Sequence, residues 1–291
     1  MFKKPSFSIV GPGALGSALL DSLDAAGYSI EYVYTRRRPD TYPIEKRFPG
    51  KFKQGLPTQE SELGEYFFLT PPDDVISDLA ERLAAIPAIQ WENRKIIHCS
   101  GALSSDILEP LGRKGALTAS YHPLQTFTQS SDRNTFRDIA VSIEGNPALA
   151  EELAEIAADL WSNPIRVSKQ QKQALHVAAV FISNYTVALG GVADQLIKKH
   201  LDGQDYSILK PLLNQTLSNM IQQDLPSALT GPVARGDLQT VRSHLEILQD
   251  DKEKLKLYKI LGNSALKLSY KKGLTTEERL SKLSELFKDD D

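Results

Sequence analysis

The chain has 291 residues, enough for two domains of ordinary size. Hydrophobic residues make up 41% and charged residues 24%, with a formal net charge of −3, a balance that predicts a soluble globular protein and gives no reason to expect nucleic acid or a membrane as partner. No apolar stretch is read as approaching the roughly 20 residues that span a bilayer. The single cysteine, Cys99, excludes an internal disulfide and suits a cytoplasmic location, and Met1 to Pro5 leads into the first strand without room for a signal peptide.

Phe7-Ser8-Ile9-Val10 reads as a first strand and Ala14 to Ala26 as a helix. Between them lies Gly11-Pro12-Gly13-Ala14-Leu15-Gly16. A G-x-G-x-x-G that closes a strand and opens a helix is a dinucleotide-binding fingerprint. Gly11 makes the tight turn, Gly13 lets the backbone approach a pyrophosphate, and Gly16 lets the helix pack on the strand. The free N–H groups and dipole at the helix start favour the anion.

A second strand reads at Ser29 to Tyr34. An NAD site usually carries Asp or Glu at its end, for the ribose 2′-hydroxyl. Here Thr35 is followed by Arg36, Arg37 and Arg38. Guanidiniums match phosphate geometry, so NADP is the expected cofactor, with Thr35, Arg36 and Arg37 around its 2′-phosphate.

A Pro- and Lys-rich stretch, residues 39–59, holds a short strand near Lys51 to Lys53. Tyr66 to Thr70 reads as a buried strand. Thr70 and Pro71 then shape the cofactor cleft, and Asp73 or Asp74 caps a helix to about Ala85. Lys95 to His98 is another strand, followed by Ser100 and Gly101, which are candidates to contact nicotinamide or substrate. Cys99 is expected to be a buried structural thiol. Ala116 to His122 and Ile139 to Ile143 read as strands, and Pro147 to Trp161 as a helix. This alternation predicts an α/β, doubly wound, mostly parallel sheet. At the end of the strand from Ala116, His122 is a candidate proton donor that can titrate near neutrality, with Gln125 and Thr126 as substrate ligands.

From Lys169 to Phe287 the patterns are helical, so an all-α domain over 169–291 follows a dinucleotide-binding domain over 1–168. Gln170 to His200 reads as one long helix that only Gly190-Gly191 interrupts. Lys172, His176, Val180 and Asn184 are spaced by four and share a face, with Ser183 beside it. Polar groups in so apolar a stretch need partners, either protein groups or a substrate and the nicotinamide. Further helices read at Ser207 to Gln223, Leu238 to Asp250, Lys252 to Tyr270 and Thr276 to Phe287, with Asp205, Asp237 and Thr275 as N-caps. Residues 230–237 read as a loop in which Arg235 could hold an anionic substrate. His200 and His244 read as surface residues, the five histidines lack close metal-ligand spacing, and no metal is expected. The tail, residues 287–291, reads as frayed.

Five stretches carry a family resemblance: Gly11 to Gly16, His98 to Ala102, His122 to Phe127, His176 to Ala179 with Asn184, and Gly231 to Asp237. The chain resembles a bacterial Rossmann-like family whose C-terminal half is a domain of unknown function. That family is similar, at a distance, to pyrroline-carboxylate, ketopantoate and 6-phosphogluconate dehydrogenases. The resemblance implies an N-terminal NADP-type Rossmann sheet and a helical, commonly dimeric C-terminal domain. Some of these dehydrogenases use a Lys on the long helix as acid. Lys172 is a loose counterpart, and His176 holds the more suggestive place. The leading expectation is an NADP-dependent oxidoreductase of a small carbonyl or imine compound. His176 would give the proton, Asn184 would orient the substrate, and His122 and Lys172 are further catalytic candidates. An NADP-binding regulator or scaffold without turnover, and a deazaflavin-dependent oxidoreductase, are the alternatives.

Overall fold

The structure, a computed structural model, describes residues 4–288; the last residues of the tail, 289–291, lie outside them. Eight strands and twelve α-helices are assigned in the described residues: β1 (Ser6–Val10), α1 (Ala14–Ala25), β2 (Ser29–Thr35), β3 (Phe52–Gln54), β4 (Tyr66–Leu69), α2 (Ile76–Ala84), β5 (Lys95–His98), α3 (Glu109–Gly112), β6 (Leu117–Pro123), β7 (Ala140–Gly145), α4 (Pro147–Asp159), β8 (Asn163–Arg166), α5 (Lys169–Ile182), α6 (Asn184–His200), α7 (Lys210–Gln222), α8 (Leu225–Ala228), α9 (Pro232–Arg235), α10 (Leu238–Leu248), α11 (Lys252–Lys272) and α12 (Glu277–Leu286). The strands form one sheet in the order β3-β2-β1-β4-β5-β6-β7-β8. Every neighbouring pair is parallel except β6 and β7.

The chain divides into two compact units, residues 1–185 and 186–291. In the first unit, β4 reads as an unbroken apolar run because both faces of the sheet are covered, and in β1 the buried Ser8 is satisfied by accepting from Gly64 N–H at 2.9 Å. One face buries Phe7, Ile9, Leu19, Leu23 and Phe68 with Leu153 of α4. The other buries Val10, Phe67 and Leu69 with Ile76, Leu79 and Leu83 of α2. The order around β1 reverses between β2 and β4, and such a switch point opens a crevice at the carboxyl ends of the strands.

In the second unit a small core of Val241, Leu266, Leu280, Leu283 and Phe287 joins α10, α11 and α12. No residue of α7 is buried. Asp205 and Asp237 cap as expected, through Ser207 N–H (2.8 Å) and Thr240 N–H (3.1 Å). The last helix is capped by Thr276 rather than Thr275.

Several local expectations are corrected. The long helix breaks at Ser183, between α5 and α6, and not at Gly190-Gly191; Ser183 and Asn184 are both poor helix formers whose side chains compete for backbone hydrogen bonds. The break also separates Asn184 from the α5 face that carries His176. Contrary to the sequence reading, the run Lys169–His200 is by length and composition apolar enough to cross a membrane, with an 18-residue window of mean hydropathy 1.5. None of that window is buried. Asp73 and Asp74 do not cap α2. Residues 232–235 form a helical turn inside the expected loop. His244 is half-buried and hydrogen-bonds the Tyr258 hydroxyl at 2.8 Å.

Candidate functional site

The glycine turn is built as its sequence requires. Gly11 has φ +90°, and a Cβ there would lie 3.0 Å from Pro71 N. A Cβ on Gly16 would lie 2.5 Å from both Gly11 O and Thr70 Oγ1, so only glycine lets α1 approach β1 this closely. Thr70 secures the turn from the neighbouring strand, donating to Gly11 O at 2.7 Å. Gly13 has nothing within 4 Å of where its Cβ would stand, so its backbone faces open space. It is also the N-cap of α1. No side chain caps the helix and no acidic residue stands in its first turn. The orphan N–H groups of Ala14, Leu15 and Gly16 and the positive end of the helix dipole are therefore left for an anion.

A cleft of about 790 Å³ opens over this turn. Its walls come from the carboxyl ends of β1, β2, β3 and β4, and include Gly13, Thr35, Arg36, Arg37, Gln54 and Pro71. Thr35 is buried, and its hydroxyl donates to Arg37 O at 2.7 Å, which shapes the arginine turn. Arg38 turns aside to pair with Asp40 at 2.8 Å. Arg36 and Arg37 line the cleft and make no ion pair among the described residues. Gln54, Gly55 and Tyr42 complete this wall. Gln54 ends the short strand β3 and Gly55 follows it; the pairing of β3 beside β2 is not revealed by the sequence alone.

A second group gathers beyond β5 and β6. Ser100 is fixed through every polar atom: its N–H donates to His98 Nδ1 (3.2 Å), its hydroxyl donates to Asp73 (2.7 Å), and its carbonyl accepts from Lys172 Nζ (2.6 Å). His98 in turn donates from Nε2 to Ser104 O at 3.1 Å. Asp73 follows Thr70-Pro71-Pro72, so this bond ties the loop after β5 to the rim of the cleft. The hydroxyl of Ser100 is thus engaged by protein.

Gly101 is wedged between two histidines. A Cβ on it would stand 2.5 Å from His176 Nδ1 and 2.7 Å from His122 Nε2. The two rings meet edge to face with centroids 5.8 Å apart. His176 Nδ1 is buried without a hydrogen-bond partner, while the ring as a whole is only half-buried.

Electrostatics separates the candidates. Burial first, then the charge of Lys172 and the neighbouring His176 and His98, pushes His122 down to about 3. It therefore stays neutral around pH 7 and does not titrate there as its sequence suggests. Burial likewise lowers His98 to about 4, with Lys172 adding to the effect. Lys172 is 1% exposed. Burial lowers it to about 8, against the opposing pull of Glu144, Cys99 and Asp73. Its ammonium is committed to Ser100 O, so it holds the loop. Cys99 is buried and its thiol is pushed far up by burial, as befits a structural residue.

Gln125 and Thr126 are exposed, and Gln125 Oε1 accepts from Thr126 N–H at 2.8 Å. Ser183 and Asn184 sit at the helix break, half-buried and exposed. Arg235 is exposed at the end of α9 in the second unit. Sequence reasoning missed Asp73 as a holder of Ser100, because that partnership joins residues 27 apart at the ends of neighbouring strands.

Residues 3–123 match the family described as a Rossmann-like domain, and residues 139–265 match the one described as a domain of unknown function (DUF2520). No curated protein matches the chain. Among solved structures, a protein of Thermotoga maritima is similar at 26% identity and a TM-score of 0.73, over 92% of this chain and 99% of that one. A Bacteroides fragilis protein, provisionally named an NADP oxidoreductase, is 23% identical with a TM-score of 0.70, over 91% and 99%. A reductive aminase of Aspergillus terreus in complex with NADPH shares the fold at 14% identity and a TM-score of 0.59, over 98% and 92%. The N-terminal part of the chain therefore matches a Rossmann-like domain and the C-terminal part a domain of unknown function, and the fold is shared with these solved structures.

Proposed function

We propose that this protein is an NADP-dependent oxidoreductase acting on a small carbonyl or imine compound. One observation carries the reading: an uncapped helix start over Gly13 shares a single cleft with two unpaired guanidiniums, Arg36 and Arg37. The helix start suits a pyrophosphate, and the guanidiniums suit the 2′-phosphate that distinguishes NADP. Structures of similar fold carry NADPH or NAD+, which agrees with a nicotinamide dinucleotide in this cleft.

When bound, the nicotinamide supplies or accepts the hydride at the substrate carbon. The chain's own residues provide the rest. Gly101, having no Cβ, lets His122 and His176 close against its backbone. Lys172, His98 and Asp73 hold the loop that carries it. In the reducing direction, protonated His176 gives a proton from Nε2 to the substrate oxygen or nitrogen as hydride arrives at carbon and is left as the neutral ring; in reverse, the neutral ring takes the proton back. Acid–base assistance of this kind contributes typically ~10²–10⁴-fold. His122, held neutral by its surroundings, is suited to packing and orienting rather than to donating.

Calorimetric titration with NADPH and NADH tests the cofactor assignment. NADPH should bind at least about tenfold more tightly, which is about 1.4 kcal/mol. Arg36→Ala with Arg37→Ala should remove most of the difference and leave NADH affinity nearly unchanged. Equal affinities in the unsubstituted protein would overturn the assignment. We also propose a homodimer assembled through the apolar helices, and a cytoplasmic location, which suits the lone reduced thiol of Cys99.

A further inference from the structure

A second cavity, of about 270 Å³, lies at the far end of α1. The twelve residues of α1 span ~18 Å at 1.5 Å each, which removes this cavity from the glycine turn. Its walls are the last residues of α1, the 3-10 turn Arg133–Phe136 with Arg137, and the end of α4 through Trp161. The floor is firmly built. Arg133 N–H donates to Asp21 at 3.0 Å, and Asp159 accepts from the Tyr28 hydroxyl at 2.8 Å and from Lys4 at 2.7 Å.

Trp161 is the unusual residue here. It follows α4 with φ +62°, the left-handed conformation that glycine adopts without strain at a helix end and that a bulky residue disfavours. Its strain brings no burial, since the side chain is 69% exposed. Backbone bonds hold it there: Trp161 N–H donates to Ala158 O at 2.9 Å, and Trp161 O accepts from Asp138 N–H at 2.8 Å. The Arg137 guanidinium lies 5.5 Å from the indole centroid. Neither Arg133 nor Arg137 makes an ion pair among the described residues, whereas the carboxylate of Asp159 is already matched by Lys4. The cavity thus offers an accessible indole and two unmatched planar cations.

We propose that this cavity is a binding site for a small aromatic anion, a planar ring bearing one phosphate or carboxylate. The ring would stack on Trp161, and the anionic group would take paired N–H donors from Arg137 and Arg133. The site is separate from the NADP cleft and stands whether or not the oxidoreductase reading holds.

Phenyl phosphate is a suitable probe. The chain has two tryptophans, and Trp91 is 2% exposed, so an accessible-indole fluorescence signal reports Trp161. Phenyl phosphate should change that signal saturably, while inorganic phosphate and benzyl alcohol should bind at least about tenfold more weakly. Calorimetry on Arg137→Ala and on Trp161→Gly should give a similar loss. Trp161→Gly should in addition keep or raise the melting temperature, because glycine relieves the left-handed conformation. NADPH affinity should not change in either variant. No saturable binding, unchanged binding in Trp161→Gly, or displacement of the probe by NADPH would each overturn the proposal.

Discussion

His176 Nδ1 is the atom that a Cβ on Gly101 would meet most closely, at 2.5 Å. His176 Nδ1 has no partner to lose, so His176→Ala should leave the melting temperature within a few degrees and NADPH affinity intact. Turnover of a keto or imino acid found by screening should fall by ~10²-fold or more. A stable variant with unchanged turnover would remove His176 from the mechanism. Gly101→Ala should act differently. The added methyl cannot fit 2.5 Å from one ring nitrogen and 2.7 Å from the other, so the rings must part. Turnover should drop at least as far as in His176→Ala, with a destabilisation of about 1–3 kcal/mol, as overpacking gives; equal activity and stability would show that the wedge does not matter. At this scale the glycine turn was legible in sequence because each glycine answers a local backbone demand. Gly11 needs a positive φ, Gly13 open space and Gly16 a close approach. Asp73 was not legible, since its carboxylate reads as a helix cap until Ser100 is brought beside it by the pairing of β4 with β5.

At the scale of elements, the alternation of strands and helices through α4 was readable because a doubly covered sheet requires apolar strands separated by amphipathic helices. β8 escaped notice. Asn163-Pro164-Ile165-Arg166 contains a proline, lies at the sheet edge and is exposed throughout, which is where a strand can carry Pro and show no pattern. The helices of the C-terminal half were readable by period, yet their burial was not, because an apolar stripe does not reveal what covers it. Val177, Phe181 and Ile182 of α5 are 55–63% exposed, and on α7 Leu217 and Ile221 are 40% and 84% exposed. Apolar surface on this scale marks an interaction face, and a second copy of the chain is the proposed occupant. Leu217 and Ile221 stand one turn apart on one face of α7. Light scattering at micromolar concentration should give a dimer for the unsubstituted protein and a monomer for Leu217→Glu with Ile221→Glu, with NADPH affinity retained. A monomer in the unsubstituted protein would sink the proposal.

For the whole molecule, the histidines buried around Ser100 should limit acid stability. The folded state holds His98 near 4 and His122 near 3, both below the ordinary value of about 6.5. Their neutral forms are therefore favoured by folding. Above pH 6.5 neither state binds the proton and nothing is lost. Below it, the unfolded chain takes up protons that the folded protein refuses, so stability falls as pH drops from 6.5 towards 4. Each histidine contributes a slope that approaches ~1.4 kcal/mol per pH unit. The window from pH 6.5 to 5 isolates this effect, because the carboxyl groups lowered by ion pairing, such as Glu62 at about 2, begin to matter only nearer pH 4.5. Urea unfolding at pH 7, 6 and 5 should therefore show a loss that steepens below pH 6.5. His98→Gln should be less stable at pH 7, because one of its two loop bonds is lost, but should show about half the acid slope. The crossing of those two curves is the diagnostic result. Parallel curves, or a stability flat from pH 7 to 5, would mean that His98 is solvated rather than held neutral, and would remove the rigid loop on which the placement of Gly101 between His122 and His176 depends.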